Sequence, residues 1–148
     1  MLETLASIAR NRTSYRVGLL QARAYRILKQ ETTDILKQFE ISTIEWAFVG
    51  LLYEKKVMRM KDIADELGVE APFVSAMASR LGKKHLLVEE KSEDSRVKLI
   101  SLSPTGMKFV PETEHIVRES IRHLIKGVTP RDLIGYLAVL EAIISNEQ

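Results

Sequence analysis

Glu89-Glu90-Lys91-Ser92-Glu93-Asp94-Ser95-Arg96-Val97-Lys98-Leu99-Ile100-Ser101-Leu102-Ser103-Pro104-Thr105-Gly106 is where the chain changes character. Just ahead of its charged part lies a short apolar run, Leu86-Leu87-Val88. Within it, Lys98-Leu99-Ile100-Ser101-Leu102 alternates in part, and the polar residues between the two runs have the composition of a turn. The pattern predicts a two-stranded ribbon with a charged tip. Ser103-Pro104 then sets a capping hydroxyl before a proline, which reads as a helix start. Everything around the ribbon has helical periodicity, so the predicted fold is mainly α with a small β-wing.

Upstream, Val17, Leu20, Ala24, Ile27 and Ile35 recur at three- and four-residue steps and predict a helix from Ser14 to Gln38. Ser42-Thr43-Ile44-Glu45 fits a capping box, and the helix it starts runs through Trp46, Val49, Leu52 and Tyr53 to end near Lys55-Lys56. Val57-Met58 has room for a very short strand. A helix over Lys61 to Leu67 turns Ile63, Ala64 and Leu67 inward and stops at Gly68. Pro72 suits the first turn of the next helix, whose inward stripe is Val74, Met77, Ala78 and Leu81. Its opposite face carries Pro72, Ser75, Ala76, Ser79, Arg80 and Lys83. Downstream, Pro111 should kink the helix begun at Ser103-Pro104 or end its first segment, because it removes a bond to the carbonyl of Met107. Val117, Ile121, Leu124 and Ile125 continue an apolar stripe to Gly127. Thr129-Pro130 caps a last helix with Leu133, Leu137, Leu140 and Ile144 at coiled-coil-like spacing.

The chain of 148 residues is one ordinary domain, or a small domain with an oligomerisation element. No apolar run approaches the length needed to span a bilayer. Met1-Leu2-Glu3-Thr4-Leu5 lacks a basic-then-apolar signal pattern, so a cytoplasmic protein is expected. With no cysteine, disulfides and thiolate metal sites are excluded. A net charge of +2 is too small to argue for nucleic acid by itself; only a local patch can do that.

Two helices joined by a tight turn and followed by an Arg-tipped ribbon make a surface that can dock into DNA grooves. On the helix from Pro72, Ser75 and Ser79 can bond phosphates or base edges, and Arg80 and Lys83 can neutralise phosphates. Pro72, Phe73 and Ala76 can touch a thymine methyl. A solvated helix face would have the same composition. The ribbon tips the balance. Arg96 follows Asp94 by two residues, so the carboxylate can brace the guanidinium, and a braced Arg on a thin hairpin suits the negative potential of a narrow minor groove. Lys98 lies on the same ribbon. The plain alternative for Arg96 is an exposed salt bridge worth at most about 1 kcal/mol.

At these residues the chain resembles the MarR family of winged helix-turn-helix regulators. Asp94-Ser95-Arg96, then Ile100-Ser101-Leu102-Ser103-Pro104-Thr105-Gly106, is similar to the family's wing signature. Asp62-Ile63-Ala64 with Leu67-Gly68-Val69, and Arg80-Leu81-Gly82-Lys83-Lys84-His85-Leu86-Leu87, are similar to its helix-turn-helix pieces. The resemblance implies a homodimer whose terminal helices interlock and whose wings straddle a pseudo-palindromic duplex site. It implies a phosphate-contacting role for Ser75, a wing pair in Asp94 and Arg96, and a repressor released from DNA by a small aromatic or phenolic effector. Ala76, Gly82 and His85 depart from the family pattern, where Arg, Glu and Gly are usual. Readout is thereby displaced toward Arg80 and Lys83, helix propensity drops by about 1 kcal/mol at Gly82, and a left-handed backbone at His85 would be strained.

The domain division expected is 1–35 and 104–148 for dimerisation, with 36–103 as the winged helix-turn-helix between them. Tyr15, Tyr25, Trp46 and Tyr53 are candidates to line an effector crevice, although each also suits a helix core. His115 and His123, eight residues apart, are too distant to chelate one ion unaided, so neither metal nor cofactor is expected. No phosphate loop, nucleophile elbow or framed acid–base pair is present, so an enzyme is not expected. The rival reading is a dimeric winged helix that binds a partner protein through Pro72-Phe73-Val74, without sequence-specific DNA binding.

Overall fold

The computed structural model describes residues 14–147. The start of the expected dimerisation region, including the Met1–Leu5 stretch, and Gln148 lie outside those residues. Helix α1 spans Ser14–Leu36 and passes through a 3-10 turn, Lys37–Phe39, to α2 at Thr43–Lys55. Strand β1 (Val57–Arg59) leads directly into α3 (Met60–Leu67), and α4 (Ala71–Lys83) follows. The wing is β2 (Leu87–Glu90) and β3 (Leu99–Leu102). Helix α5 (Pro104–Ile121), a 3-10 turn (Arg122–Ile125) and α6 (Pro130–Ser145) complete the chain.

Local signals set most of these boundaries. The Ser42 hydroxyl accepts from the Glu45 N–H while Glu45 Oε2 accepts from the Ser42 N–H at 2.8 Å, closing the expected capping box. Gly68 ends α3 at φ 64, a left-handed turn that glycine adopts without the strain a side chain brings. Thr129 caps α6 with Asp132 as its reciprocal partner. Ser103 caps α5, accepting from the Gly106 N–H at 3.0 Å. A Cβ on Gly106 would run into the carbonyl oxygen of Leu86, so the close approach of α5 to the wing demands glycine there.

The sheet order is β1-β3-β2, all antiparallel, with Arg59 opposite Leu99 on one side of β3 and Glu90 opposite Leu99 on the other. The wing is therefore three-stranded at its base, where β1 completes the sheet. One core lies under it, built from Phe48, Val49, Leu52, Ile63, Val74, Met77, Leu81, Leu86, Ile100 and Val110. The winged helix-turn-helix architecture predicted from the sequence is the one observed.

Of the two outcomes expected at Pro111, a kink or an end to the first segment, the second does not occur. Helix α5 neither ends nor restarts there but runs as one element through it. A proline inside a helix costs about 3 kcal/mol. Val110, Thr113 and Val117 are all buried on the inner face of α5, and two buried valines return about 1.5–3 kcal/mol each. Packing thus outweighs the missing N–H. Among the described residues no helix is long and apolar enough to cross a membrane.

Candidate nucleic-acid interface

Helix α4 divides its residues as the periodicity requires. Val74, Met77 and Leu81 are buried, while Pro72, Phe73, Ser75, Ala76, Ser79, Arg80 and Lys83 are exposed. Ala78, expected on the inner stripe, is half-buried at its margin. Phe73 is 48% exposed, a large apolar surface to leave in water at a helix start.

The wing carries the predicted brace. Asp94 Oδ1 accepts from the Arg96 backbone N–H at 2.9 Å and from its Nε at 3.2 Å, and Oδ2 accepts from Nη2 at 3.3 Å. These bonds, the side-chain ones first, hold the Asp94 carboxyl below its usual range. Both residues are solvent-exposed, so the pair contributes little to stability but limits where the guanidinium can point.

Between the start of α4 and the wing lies a cleft of about 470 Å³, lined by Arg59, Met60, Lys61, Ser75, Arg96, Val97 and Lys98. Four cationic residues and a serine thus line one groove. Ser75, Arg96 and Lys98 were expected; Arg59 and Lys61 were not. They reach the cleft because β1 pairs with β3 and because the Met60 N–H donates to the Lys98 carbonyl at 3.2 Å. A strand of three residues has no periodicity from which that pairing could be read.

Arg80 is already engaged. Its Nη2 lies 3.0 Å from Oε1 of Glu45, a residue only 6% exposed. Lys84, at the end of α4, lies 3.4 Å from Glu40, in the turn before α2. Neither contact was foreseen. His85 does adopt the left-handed backbone, with φ 59, and its carbonyl accepts from the Ser103 hydroxyl at 2.5 Å.

Of the four aromatic candidates, the structure brings two together. Trp46 and Tyr53 line a groove of about 510 Å³ between α2 and α5, with Gly50, Glu54, Glu114 and Arg118. Trp46 Nε1 donates to Thr113 Oγ1 at 3.1 Å across this interface. Tyr15 and Tyr25 stand on α1, 76% and 62% exposed, and do not border the groove. His115 and His123 are exposed, and among the described residues no group of three potential metal ligands gathers.

No protein-family model matches the chain. Over 135 residues it is 30% identical to the HTH-type transcriptional regulator FarR of Neisseria gonorrhoeae, spanning 86% of this chain and 91% of that protein. Among solved structures, NadR in complex with 4-hydroxyphenylacetate aligns with a TM-score of 0.77 at 26% identity, covering 92% of this chain and 96% of that one. The MepR–DNA complex of Staphylococcus aureus aligns with a TM-score of 0.72 at 25% identity, covering 92% and 100% of the two chains. NadR and MepR are MarR-family regulators. From its wing residues, its three-stranded winged helix-turn-helix and its likeness to a regulator over most of both chains, the protein belongs to the MarR family of DNA-binding transcriptional regulators.

Proposed function

We propose that the protein is a homodimeric repressor that binds a pseudo-palindromic duplex site and leaves it when a small aromatic or phenolic effector binds. The observation that carries the DNA reading is the cleft that Arg59, Lys61, Arg96 and Lys98 line together with Ser75. Cations converging from three elements suit a phosphate backbone passing between helix and wing. Helix α4 lies in the major groove, with Pro72, Phe73, Ala76 and Ser79 toward base edges and Lys83 toward phosphate. Arg96, held by Asp94, reaches the adjacent minor groove.

Dimerisation is supported by the terminal helices. A second groove, of about 550 Å³, is lined by Val17, Leu20 and Ala24 of α1 and by Tyr136, Val139, Leu140 and Ile143 of α6. No residue of α6 is buried in the single chain. Apolar faces of that extent on a protein in water favour a partner, here a second copy. The effector reading is supported by the groove at Trp46 and Tyr53, whose aromatic walls suit a small ring, and by the 4-hydroxyphenylacetate bound by NadR. A ligand there would part α2 from α5 at the Trp46–Thr113 bond. Such a protein acts where the DNA is, in the cytoplasm, and catalyses no reaction.

The test is binding to DNA from the protein's own upstream region, against a random duplex, across a salt titration with and without 4-hydroxyphenylacetate. The reading predicts preference for the upstream duplex, with log affinity falling by about 0.9 per phosphate contact for each unit of log salt, and weaker binding with effector. Weak binding, equal for both duplexes even at low salt, would instead favour a protein partner.

A further inference from the structure

The C-terminal end of α4 and its cap carry Arg80, Lys83 and Lys84, and these cations do different things. Among the described residues Lys83 enters no ion pair and is exposed. Arg80 and Lys84, one helical turn apart, both reach back to the segment that opens α2: Arg80 to Glu45 at 3.0 Å and Lys84 to Glu40 at 3.4 Å. The second pair is exposed and weak. The first is not, because the Glu45 carboxylate is buried. Its Oε2 accepts from the Ser42 N–H at 2.8 Å and the Ser42 hydroxyl at 2.9 Å, which leaves Oε1 for Arg80. One oxygen fixes the start of α2 and the other fixes α4. Taking Arg80 away would leave a buried charge with one oxygen unpartnered.

We infer that Glu45 is a positioning residue for DNA recognition. It withholds Arg80 from the duplex and uses it to set the rotation at which α4 presents Pro72, Phe73, Ser75, Ala76 and Ser79. An arginine on a groove-reading helix is ordinarily the side chain best suited to guanine or phosphate. Here its charge is committed inward, and phosphate neutralisation falls to Lys83 and to the four cations of the cleft. The inference rests on the DNA-binding reading above. The outer side of the Arg80 guanidinium is open to solvent, its side chain being 58% exposed, so the alternative is a phosphate contact made by the same residue. The two differ in what salt does.

The experiment uses the full chain and a duplex that the wild-type protein enriches from a random pool. Affinity for that duplex and for a random one is measured across salt for wild type, Arg80→Gln and Glu45→Gln. Glutamine at position 45 keeps the acceptor that the capping box needs, so this variant stays folded if Arg80→Gln does not. Arg80→Gln is expected to keep the wild-type salt slope, and Glu45→Gln to keep it or steepen it as Arg80 is released. Both are expected to lose about tenfold or more in preference for the enriched duplex, the size of one lost base-pair contact. A slope shallower by about 0.9 per subunit in Arg80→Gln would make Arg80 a phosphate contact and overturn the inference. An unchanged preference in both folded variants, with only thermal stability lowered, would reduce the pair to a structural tie and overturn it as well. Failure of the wild type to enrich any duplex would remove the DNA reading itself, and the inference with it.

Discussion

The stretch from Ile41 to Leu102 and the helices at the two ends of the chain meet the problem of apolar surface in opposite ways. In the former, Phe48, Leu52, Ile63, Val74, Met77 and Leu81 are fully buried against one another and against the wing. At the ends, Val17, Leu19, Leu20, Ile134, Leu137, Val139 and Ile143 all stand at least half exposed. Full burial of such a side chain contributes about 1.5–3 kcal/mol. The exposed set thus holds back an amount comparable to the whole stability of an ordinary domain, about 5–15 kcal/mol. One region is finished within the chain. The other leaves its apolar surface open among the described residues, where the proposed second copy would cover it.

The most severe way to break that contrast is Leu137→Glu. Leu137 is 56% exposed in the single chain, so the substitution leaves the Ile41–Leu102 core untouched, yet an unpaired charge buried against a second copy costs several kcal/mol. Light scattering should report a particle near the 16.8 kDa of one chain; a persistent dimer would mean that the interface lies elsewhere. Gly106→Ala probes the packing of α5 on the finished region instead. Its methyl collides with the Leu86 backbone, and overpacking of this kind costs about 1–3 kcal/mol. The midpoint of thermal unfolding should fall by several degrees with dimerisation retained, and an unchanged midpoint would show that the wing and α5 can separate freely.

Arg96→Ala should weaken DNA binding by about tenfold, within the range of one specific contact, while fold and assembly stay intact. Equal affinities in a binding titration would take the wing out of the interface. The smallest effect belongs to Asp94. Its carboxyl is held low by Arg96, so the brace is complete above the usual value of 3.8 and is lost only as pH falls through a lower midpoint. An NMR titration should place that midpoint below 3.8; one at or above it would mean that the brace is absent in solution.

What the sequence disclosed follows the same divide between local and distant. Ser42 and Glu45, Gly68, Pro72 and Ser103-Pro104 act within a turn or two of themselves, and each boundary they implied is present. Asp94 and Arg96 are two residues apart, and their pairing was legible for that reason. The Glu45–Arg80 pair and the Trp46–Thr113 bond, 67 residues apart, depend on how helices cross, which no periodicity encodes. Arg59 and Lys61 were passed over because β1 is too short to announce its partner. At Pro111 the helix continues because the burial of Val110 and Val117 overrides the local rule that would end it there.

How two copies lie on DNA decides whether helix α4 and the wing read a duplex as proposed. Hydroxyl-radical footprinting on a duplex enriched by the protein tests it directly. Two symmetric protected patches, centred about 10 bp apart or a multiple of that and each flanked by minor-groove protection that Arg96→Ala removes, are the predicted result. A single patch, or protection that Arg96→Ala leaves unchanged, would contradict it.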